Sequence, residues 1–418
     1  MTLIKTSLLN AIAVIIKMLT LLGINKVLAV YVGPSGYAAI GQFQNAVQMI
    51  TAFSSGAINT GVTKYTAEYQ GDVELTRRLW KTAGMIVICA STAVALLVAI
   101  FCVPLARYFL NDVTLSGVFL WFAATLVLFT FNALLLAILN GKKEIHSYVL
   151  ANIAGSIFSL AVTVLMTMYY KLYGALVALA IYQSISFFVT LAICGRKPWF
   201  RVKDMIGRID GTIALNLSKF TAMALTSAAC LPLTSILIRN TLGEHFGWDS
   251  AGYWEAMWRL STAYLMLVTT TLGVYYLPKL SELKASTDIR AEIINGYKYI
   301  LPVAVIIGVS VYVLKDFIIS VLFTPDFYPM RDLFAWQLTG DTLKIGSWII
   351  GYLMISKAMI RLYIVFEIIC ALVFVASVKF FTVVLGFQGA AIGYAFTYFL
   401  YWLVMGSIVW KRIDRLES

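Results

Sequence analysis

The 418-residue chain is 61% hydrophobic and only 12% charged, with 32 Lys and Arg against 20 Asp and Glu and a formal net charge of +12. Soluble chains carry roughly 25% charged residues, so this composition excludes a soluble globular protein and points to a polytopic membrane protein. The five cysteines (Cys89, Cys102, Cys194, Cys230, Cys370) sit in apolar runs without C-x-x-C spacing and read as small buried hydrophobes; with only His146 and His245 present, a histidine-rich metal site is excluded.

The N-terminus, MTLIKTSLLNAIAVIIKMLTLLGINKVLAVYV, has a lysine ahead of an apolar run, as a signal peptide does. Lys17 interrupts that run and no A-x-A site follows, so we expect a first spanning helix retained in the mature protein. Runs long enough to cross a bilayer then recur near 7–31, 36–60, 82–109, 115–140, 147–170, 174–195, 218–239, 251–276, 299–321, 333–356, 361–382 and 389–410. They are apolar throughout rather than alternating, which favours spanning helices over a membrane β-barrel. The expected fold class is all-α, with about 12 transmembrane helices.

With the N-terminus inside, 22 lysines and arginines fall on one side, 6 (Arg239 among them) on the other, and Lys17, Lys26, Arg259 and Lys344 within spans. Both termini are therefore expected in the cytoplasm. The longest links, about 61–81, 196–217 and 277–298, are too short for a soluble catalytic domain, and we expect no enzyme activity.

LYGALVALAIY (172–182) aligns with FQGAAIGYAFT (387–397) at an offset of 215, which also joins Tyr148 to Tyr363, Lys64 to Lys279 and Arg196-Lys197 to Lys411-Arg412. This implies an internal duplication. The expected domains are an N-terminal six-helix lobe, 1–197, a cytoplasmic basic linker, 198–213, and a C-terminal six-helix lobe, 214–418. Two parallel six-helix lobes around a central cavity is a plan common among secondary transporters. The basic stretch GRKPWFRVKDMIGR (195–208) reads as positive-inside anchoring or as a dock for anionic lipid headgroups.

Six charges fall inside spans: Lys17, Lys26, Glu255, Arg259, Asp341 and Lys344. Each costs roughly 2.5–3.5 kcal/mol at mid-membrane, so exposing all six to lipid is untenable. Helical spacing groups them. Gln44, Gln48, Thr51 and Ser55 share one face; so do Glu255, Arg259, Thr262 and Thr269; so do Gln337, Asp341, Lys344 and Trp348; Asn10 and Lys17 lie seven apart. Such stripes suggest a wet interior. Glu255 with Arg259 and Asp341 with Lys344 are also spaced to neutralise one another on their own helices, and both readings stand. Lys26 is placed to snorkel, whereas Lys17 has no acid in reach on its own helix. The six sum to a net positive interior, which suits an anionic substrate. At the 215 offset, Asp341 and Lys344 correspond to Leu126 and Phe129, so one half lacks these charges.

NKVLAVYVGPSG (25–36), GVTKYTAEY (61–69), VYYLPKLSEL (274–283) and RDLFAWQLTGDTLKIG (331–346) resemble the Wzx family across nearly the whole chain. The resemblance implies the multidrug/oligosaccharidyl-lipid/polysaccharide exporter fold. It also implies a flippase for undecaprenyl-diphosphate-linked glycan, such as an O-antigen unit or enterobacterial common antigen lipid III, working by alternating access in the bacterial inner membrane. It carries Lys17, Lys26, Lys64, Asp341 and Lys344 over as positions sharing the family pattern; Glu255 and Arg259 lie where the resemblance is weaker. The translocation cavity is then expected to be lined by Lys17, Gln44, Gln48, Lys64, Glu255, Arg259, Asp341 and Lys344. Lys17, Arg259 and Lys344 would face a diphosphate or acidic sugars, and Asp341 would hold Lys344 or exchange a cation. No cofactor, metal or nucleic acid is expected. H⁺ or Na⁺ coupling stays open, and membrane lipids, a polysaccharide polymerase and a chain-length regulator are the implied partners. The alternatives are a cation-coupled multidrug exporter and a non-transporting scaffold of a polysaccharide assembly complex. A membrane glycosyltransferase would need a catalytic loop that these short links do not offer.

Overall fold

The computed structural model describes residues 3–283, 285–357 and 359–413. Lys284 and Arg415 of the charge tally lie outside the described residues, as do the side chains of Lys5, Asn10 and Lys219. Among the described residues the chain is all-α, with no strand. In order come α1 (Leu3–Ser54), α2 (Asn59–Glu68), α3 (Val73–Ile100), α4 (Cys102–Leu105), α5 (Ser116–Gly141), α6 (Ile145–Gly195) and α7 (Gly211–Phe246). There follow α8 (Trp248–Thr271), α9 (Leu277–Glu282), α10 (Ser286–Val313), α11 (Lys315–Leu322), α12 (Phe334–Ser356), α13 (Ile360–Leu385) and α14 (Gly389–Arg412).

Two of these helices are double. α1 breaks at Gly33, whose φ of 73° only glycine adopts cheaply, and Pro34 cannot donate to the turn before it. α6 breaks at Lys171, with φ 48° and ψ −128°. Counted by halves, twelve long helical segments are present among the described residues, matching the twelve apolar runs in order. Their edges differ where hydropathy is blind. The third run, expected at 82–109, is helical from Val73 because Asp72 caps it, its side chain accepting from the Leu75 amide at 2.9 Å, and it stops at Ile100. The ninth, expected at 299–321, starts at Ser286 and ends at Val313, with α11 following as a separate short helix.

The duplication has matching backbone detail. Lys171 plus 215 is Gly386, with φ 70° and ψ −153°, the residue that closes α13. Three residues after each break the chain returns past itself. A Cβ on Gly174 would lie 1.9 Å from the Met166 carbonyl oxygen, and one on Gly389 2.2 Å from that of Phe381, again 215 residues on. Only a glycine permits this approach, so the Gly-Ala dipeptides that aligned in sequence mark the same reverse turn.

By internal contacts the chain divides into two compact units, Met1–Val32 with Ala39–Pro232, and Gly33–Ala38 with Leu233–Ser418. In the first, buried Trp80 donates to Thr66 Oγ1 at 3.1 Å and packs with Val62, Leu134, Ile138 and Met205. At the start of the basic stretch, Lys197 Nζ lies 2.7 Å and Trp199 Nε1 3.4 Å from the Glu144 carboxylate. The Lys197 hydrogen bond holds the Glu144 carboxyl below the usual glutamate range. Lys142, over the rings of Trp80 and Trp199 at 5.3 and 6.0 Å, has its ammonium pKa lowered by burial. The second unit's core joins the stretch after α8 to α10, α12, α13 and α14 through Leu272, Tyr276, Ile293, Ile349, Phe366 and Met405.

Outward positions are apolar as well: Ile100, Val313 and Val383 are more than two-thirds exposed. Among the described residues, six apolar helical stretches are long enough to cross a bilayer, including 51 residues at Ile145–Gly195 and 53 at Ile360–Arg412. Helices that satisfy their own backbone groups while offering apolar side chains outward suit lipid and not water. This is a multi-pass membrane protein.

Candidate functional site: buried charges in one unit, a polar cavity in the other

In the second unit, charge is concentrated on α7, α8 and α12. Glu255 lies between two arginines. Its Oε2 accepts from Arg239 Nη1 at 2.5 Å and its Oε1 from Arg259 Nε at 2.8 Å. Arg239 and Glu255 are almost fully buried and the Arg259 side chain is 10% exposed. Aromatic faces cover both cations, Trp254 at 5.8 Å from Arg239 Cζ and Tyr37 at 5.4 Å from Arg259 Cζ. Two guanidiniums on one carboxylate leave a net positive charge.

The expected i, i+4 pair of Glu255 and Arg259 therefore exists, but it is two-thirds of a triad. Arg239 corrects the sequence reading, which counted it on the outer side at the very end of the run 218–239. α7 runs on to Phe246, so Arg239 is a helical residue turned into the unit.

The α12 stripe of Gln337, Asp341 and Lys344 is buried against α8 and α14. The Asp341 carboxylate is held by hydroxyls. Ser261 donates to Oδ2 at 2.7 Å, Tyr394 to Oδ1 at 2.7 Å, and Tyr264 also donates to Oδ2. Gln337 Nε2 donates to Ser261 Oγ at 3.3 Å, extending the network one turn back. Among the described residues no ion pair within 4.0 Å joins Asp341 to Lys344, so the i, i+3 pair does not neutralise itself directly. Lys344 sits instead in an aromatic cage, its Nζ 4.9 Å from the ring centre of Trp258, 5.0 Å from Tyr398, 5.3 Å from Trp348 and 5.6 Å from Tyr394. Ring faces present negative quadrupole to a cation, so the cage replaces part of its hydration. Tyr394 serves both groups, its hydroxyl on Asp341 and its ring on Lys344.

The first unit offers cavities. Gln48, Thr51 and Ser55, one of the predicted stripes, line a hollow of about 290 Å³ with Asn59 and Thr130. A second, about 170 Å³, is lined by Lys17 of α1, Asn132 of α5 and Asn152, Ser156, Tyr182 and Gln183 of α6. Gln44 is exposed and lines neither of these two hollows. Lys64 is exposed on α2, its Nζ 5.0 Å from the Tyr65 ring. Lys26 is half-buried on α1.

Within each unit, then, the structure joins some predicted residues and not others. Glu255 and Arg259 form one cluster, and Asp341 and Lys344 share Tyr394. Lys17 and Gln48 line separate cavities. Sequence reasoning missed Arg239, the hydroxyl donors Ser261, Tyr264 and Tyr394, the cage, and the amide pair Asn132 and Gln183. Apart from Trp348, which shares the predicted α12 stripe with Lys344, their partners lie 16 to 86 residues away, beyond the reach of helical spacing.

A family model described as "Polysaccharide biosynthesis protein" matches residues 3–284. Curated relatives named "Lipid III flippase", from Escherichia coli (strain K12) and from Shigella flexneri, are each 31% identical over 420 residues, covering 99% of this chain and all of the relative. Among solved structures, the inward-facing conformation of a multidrug resistance MATE family transporter of the MOP superfamily matches with a TM-score of 0.81 at 13% identity, covering 96% of this chain and 95% of that one. A MOP superfamily transporter from Pyrococcus furiosus, reported with a binding pocket of reverse polarity, matches with a TM-score of 0.69 at 14% identity, covering 99% and 96%. At such identities the structural matches establish the fold, that of the MATE and MOP transporters.

Proposed function

From the chain's membership of the polysaccharide biosynthesis protein family, we propose that it is a flippase. It carries an undecaprenyl-diphosphate-linked oligosaccharide, an O-antigen unit or enterobacterial common antigen lipid III, from the cytoplasmic to the periplasmic leaflet of the inner membrane. The observation that carries this reading is the 31% identity, along the entire length of both chains, to relatives named for flipping lipid III. No covalent step is required: glycan and diphosphate cross together by alternating access while the polyprenyl tail stays in lipid.

The residues support a division of labour. Lys17, Arg259 and Lys344 attract the diphosphate or acidic substituents, with Lys64 at a mouth and Gln44 and Gln48 along the path. Arg239 and Glu255 hold Arg259 in place. Asp341 holds Tyr394 and thereby the Lys344 cage, and it is the acid available for exchange with H⁺ or Na⁺. A ligand drives the cycle only by binding one conformation better than the other, and a charged cluster that changes partners supplies such a difference. Both termini are cytoplasmic in this reading, and a polymerase with its chain-length regulator receives the product.

The multidrug-exporter alternative asks for acids open to an organic cation. Glu255 is already bound by two arginines and Asp341 by three hydroxyls, so the reading gains nothing from them.

The test is deletion of the gene followed by analysis of undecaprenyl-linked sugars and surface polysaccharide. Accumulated lipid-linked repeat units with a lost polysaccharide ladder, restored by the gene, are expected. Unchanged glycans in a strain without a second flippase refute the proposal. Lys344→Ala at normal protein level is expected to fail to restore the ladder; full restoration reduces Lys344 to a packing role.

A further inference from the structure

One more charge belongs to the Lys344 cluster. Glu367 lies in the eleventh apolar run, 361–382, and was missing from the interior charges read off the sequence. On α13 it falls in a stripe, Tyr363, Glu367, Cys370, Phe374 and Val378, with the spacing of one helix face. Phe374 and Val378 are buried, whereas Val365, Ile369 and Leu372 on the opposite face are exposed. Glu367 therefore lies on the inward face and not the lipid-facing one, and Tyr363, one turn back, hydrogen-bonds its carboxylate.

Contacts with α14 set its level. Phe374 packs on Tyr394 with ring centres 5.5 Å apart and Phe366 on Tyr401 at 5.9 Å, so α13 and α14 run antiparallel and Glu367 stands beside the turn that joins Tyr398 to Tyr401. α12 runs parallel to α14, with Gly340 against Tyr394 and Gly346 against Trp402. Along this common axis Asp341 comes first, bonded to Tyr394, then Lys344, with Nζ 5.0 Å from the Tyr398 ring, then Glu367. Lys344 interacts electrostatically with both carboxylates and is ion-paired to neither.

The two acids differ in freedom. Asp341 is tied by the hydroxyls of Ser261, Tyr264 and Tyr394, whereas Glu367 is half-buried and has a side chain one methylene longer. The Lys344 side of the arrangement is incomplete. Lys344 is 9% exposed, and its Nζ is surrounded by ring faces. Rings offset part of its charge but give its three N–H donors no oxygen. Such an ammonium can accept one anion and be taken over by another. The fold does not require either charge: at the 215 offset Lys344 corresponds to Phe129 and Glu367 to Asn152, so the first unit lacks both together.

We infer that Glu367 is the exchange partner of Lys344. While substrate is bound, Lys344 donates to an oxygen of its diphosphate; on release the ammonium passes to the Glu367 carboxylate, which takes the place of the departing anion and repels it. Glu367 acts on the substrate through Lys344, as a positioning residue, and sets how readily the diphosphate leaves. In the orientation proposed above it lies on the cytoplasmic side of the cage, so the exchange draws the cation back from a substrate leaving toward the periplasm. The inference deepens the flippase reading and rests on it.

The experiment titrates inorganic diphosphate into the full-length protein in lipid nanodiscs by calorimetry. The wild type is expected to bind saturably, and Lys344→Ala to weaken that binding roughly tenfold. Glu367→Gln, which keeps the size and removes the charge, should tighten binding roughly threefold or more, and should change nothing in a Lys344→Ala background. In cells it should export less polysaccharide at equal protein level, because a tighter hold slows release. A carboxylate that serves packing alone gives no such gain when it is removed. Where Glu367→Gln does not purify folded, Glu367→Asn, which installs the residue found at the matching position of the first unit, carries the same expectations. Unchanged or weaker binding in the folded variant overturns the inference, as does tightening that survives Lys344→Ala or that leaves export at the wild-type level. A wild type that binds no diphosphate overturns it too. So does saturable binding of tetraphenylphosphonium that Glu367→Gln abolishes, which would make the carboxylate an organic-cation site. A deletion strain that accumulates no lipid-linked units refutes the flippase reading itself, which is a distinguishable result.

Discussion

Removing the carboxylate of Glu255 gives the sharpest energetic test of the charge cluster. The residue is buried and shared by two guanidiniums at 2.5 and 2.8 Å. At an effective dielectric of about 20, charges ~4 Å apart attract by roughly 4 kcal/mol, so two pairs offset much of the several kcal/mol that each buried ion loses on leaving water. Glu255→Ala deletes both attractions and leaves two cations in a low-dielectric interior. Breaking a buried pair from one side costs about 3–5 kcal/mol. Here the remaining arginines also repel each other, which places the expected loss at the upper end. A typical domain is stable by only ~5–15 kcal/mol, so the variant should melt far below the wild type in detergent. Arg239→Met on the same background relieves one uncompensated cation and should recover part of the loss. A double-mutant cycle between the two positions therefore gives a coupling of more than about 1 kcal/mol. If Glu255→Ala melts within error of the wild type, or if the two changes simply add, the triad is not holding these helices together.

Packing and chemistry meet at Gly340, where a Cβ would come within 2.3 Å of the Tyr394 ring; Gly340→Ala should lower stability by about 1–3 kcal/mol and, by displacing the Tyr394 hydroxyl from Asp341, reduce polysaccharide export at equal protein level. Exposed Lys171 holds a positive φ of 48° that costs a non-glycine residue of order 1–3 kcal/mol, so Lys171→Gly should raise the melting point slightly, and a lowered one would show that the lysine itself is needed there. Because the Glu144 carboxyl titrates below its unfolded value near 4.5, it favours the native state at neutral pH, and that contribution is lost as pH falls through the unfolded and then the folded pKa. Melting points from pH 7 to 4 should therefore fall more steeply for the wild type than for Glu144→Gln; parallel curves would remove the Lys197–Glu144 bridge as a contributor.

The membrane class and the helix count were legible because each rests on local, repeated signals. Gly33-Pro34 announces its own break. Lys171 does not, since lysine seldom adopts a positive φ, yet its 215-offset partner Gly386 would have marked the position. Helix edges were misread where the helix leaves the apolar slab: the turn VELTRRLW begins α3 on a cap at Asp72, and α7 runs past Arg239, where the apolar run was expected to end, to Phe246. Hydropathy registers transfer from water, not the pairing that makes a buried arginine tolerable. Asp341 and Lys344 were found by their spacing, but spacing suggested each as the other's partner. Apart from Trp348 on the same helix, their actual surroundings come from residues 53 to 86 positions away and consist of hydroxyls and rings, which composition alone does not assign to a site.

What the repeat shares and what it does not share carry different kinds of information. The reverse turns at Gly174 and Gly389 and the breaks at Lys171 and Gly386 recur because the same backbone path must close in each unit. The side chains around the buried polar positions do not recur. Asn132, Asn152 and Gln183 stand opposite Ser347, Glu367 and Tyr398; Leu126 and Phe129 stand opposite Asp341 and Lys344. If these polar groups served folding alone, the same path would be closed twice with different chemistry for no mechanical gain. The unit that holds Asp341 and Lys344 therefore carries buried charge that closing the same backbone path does not require.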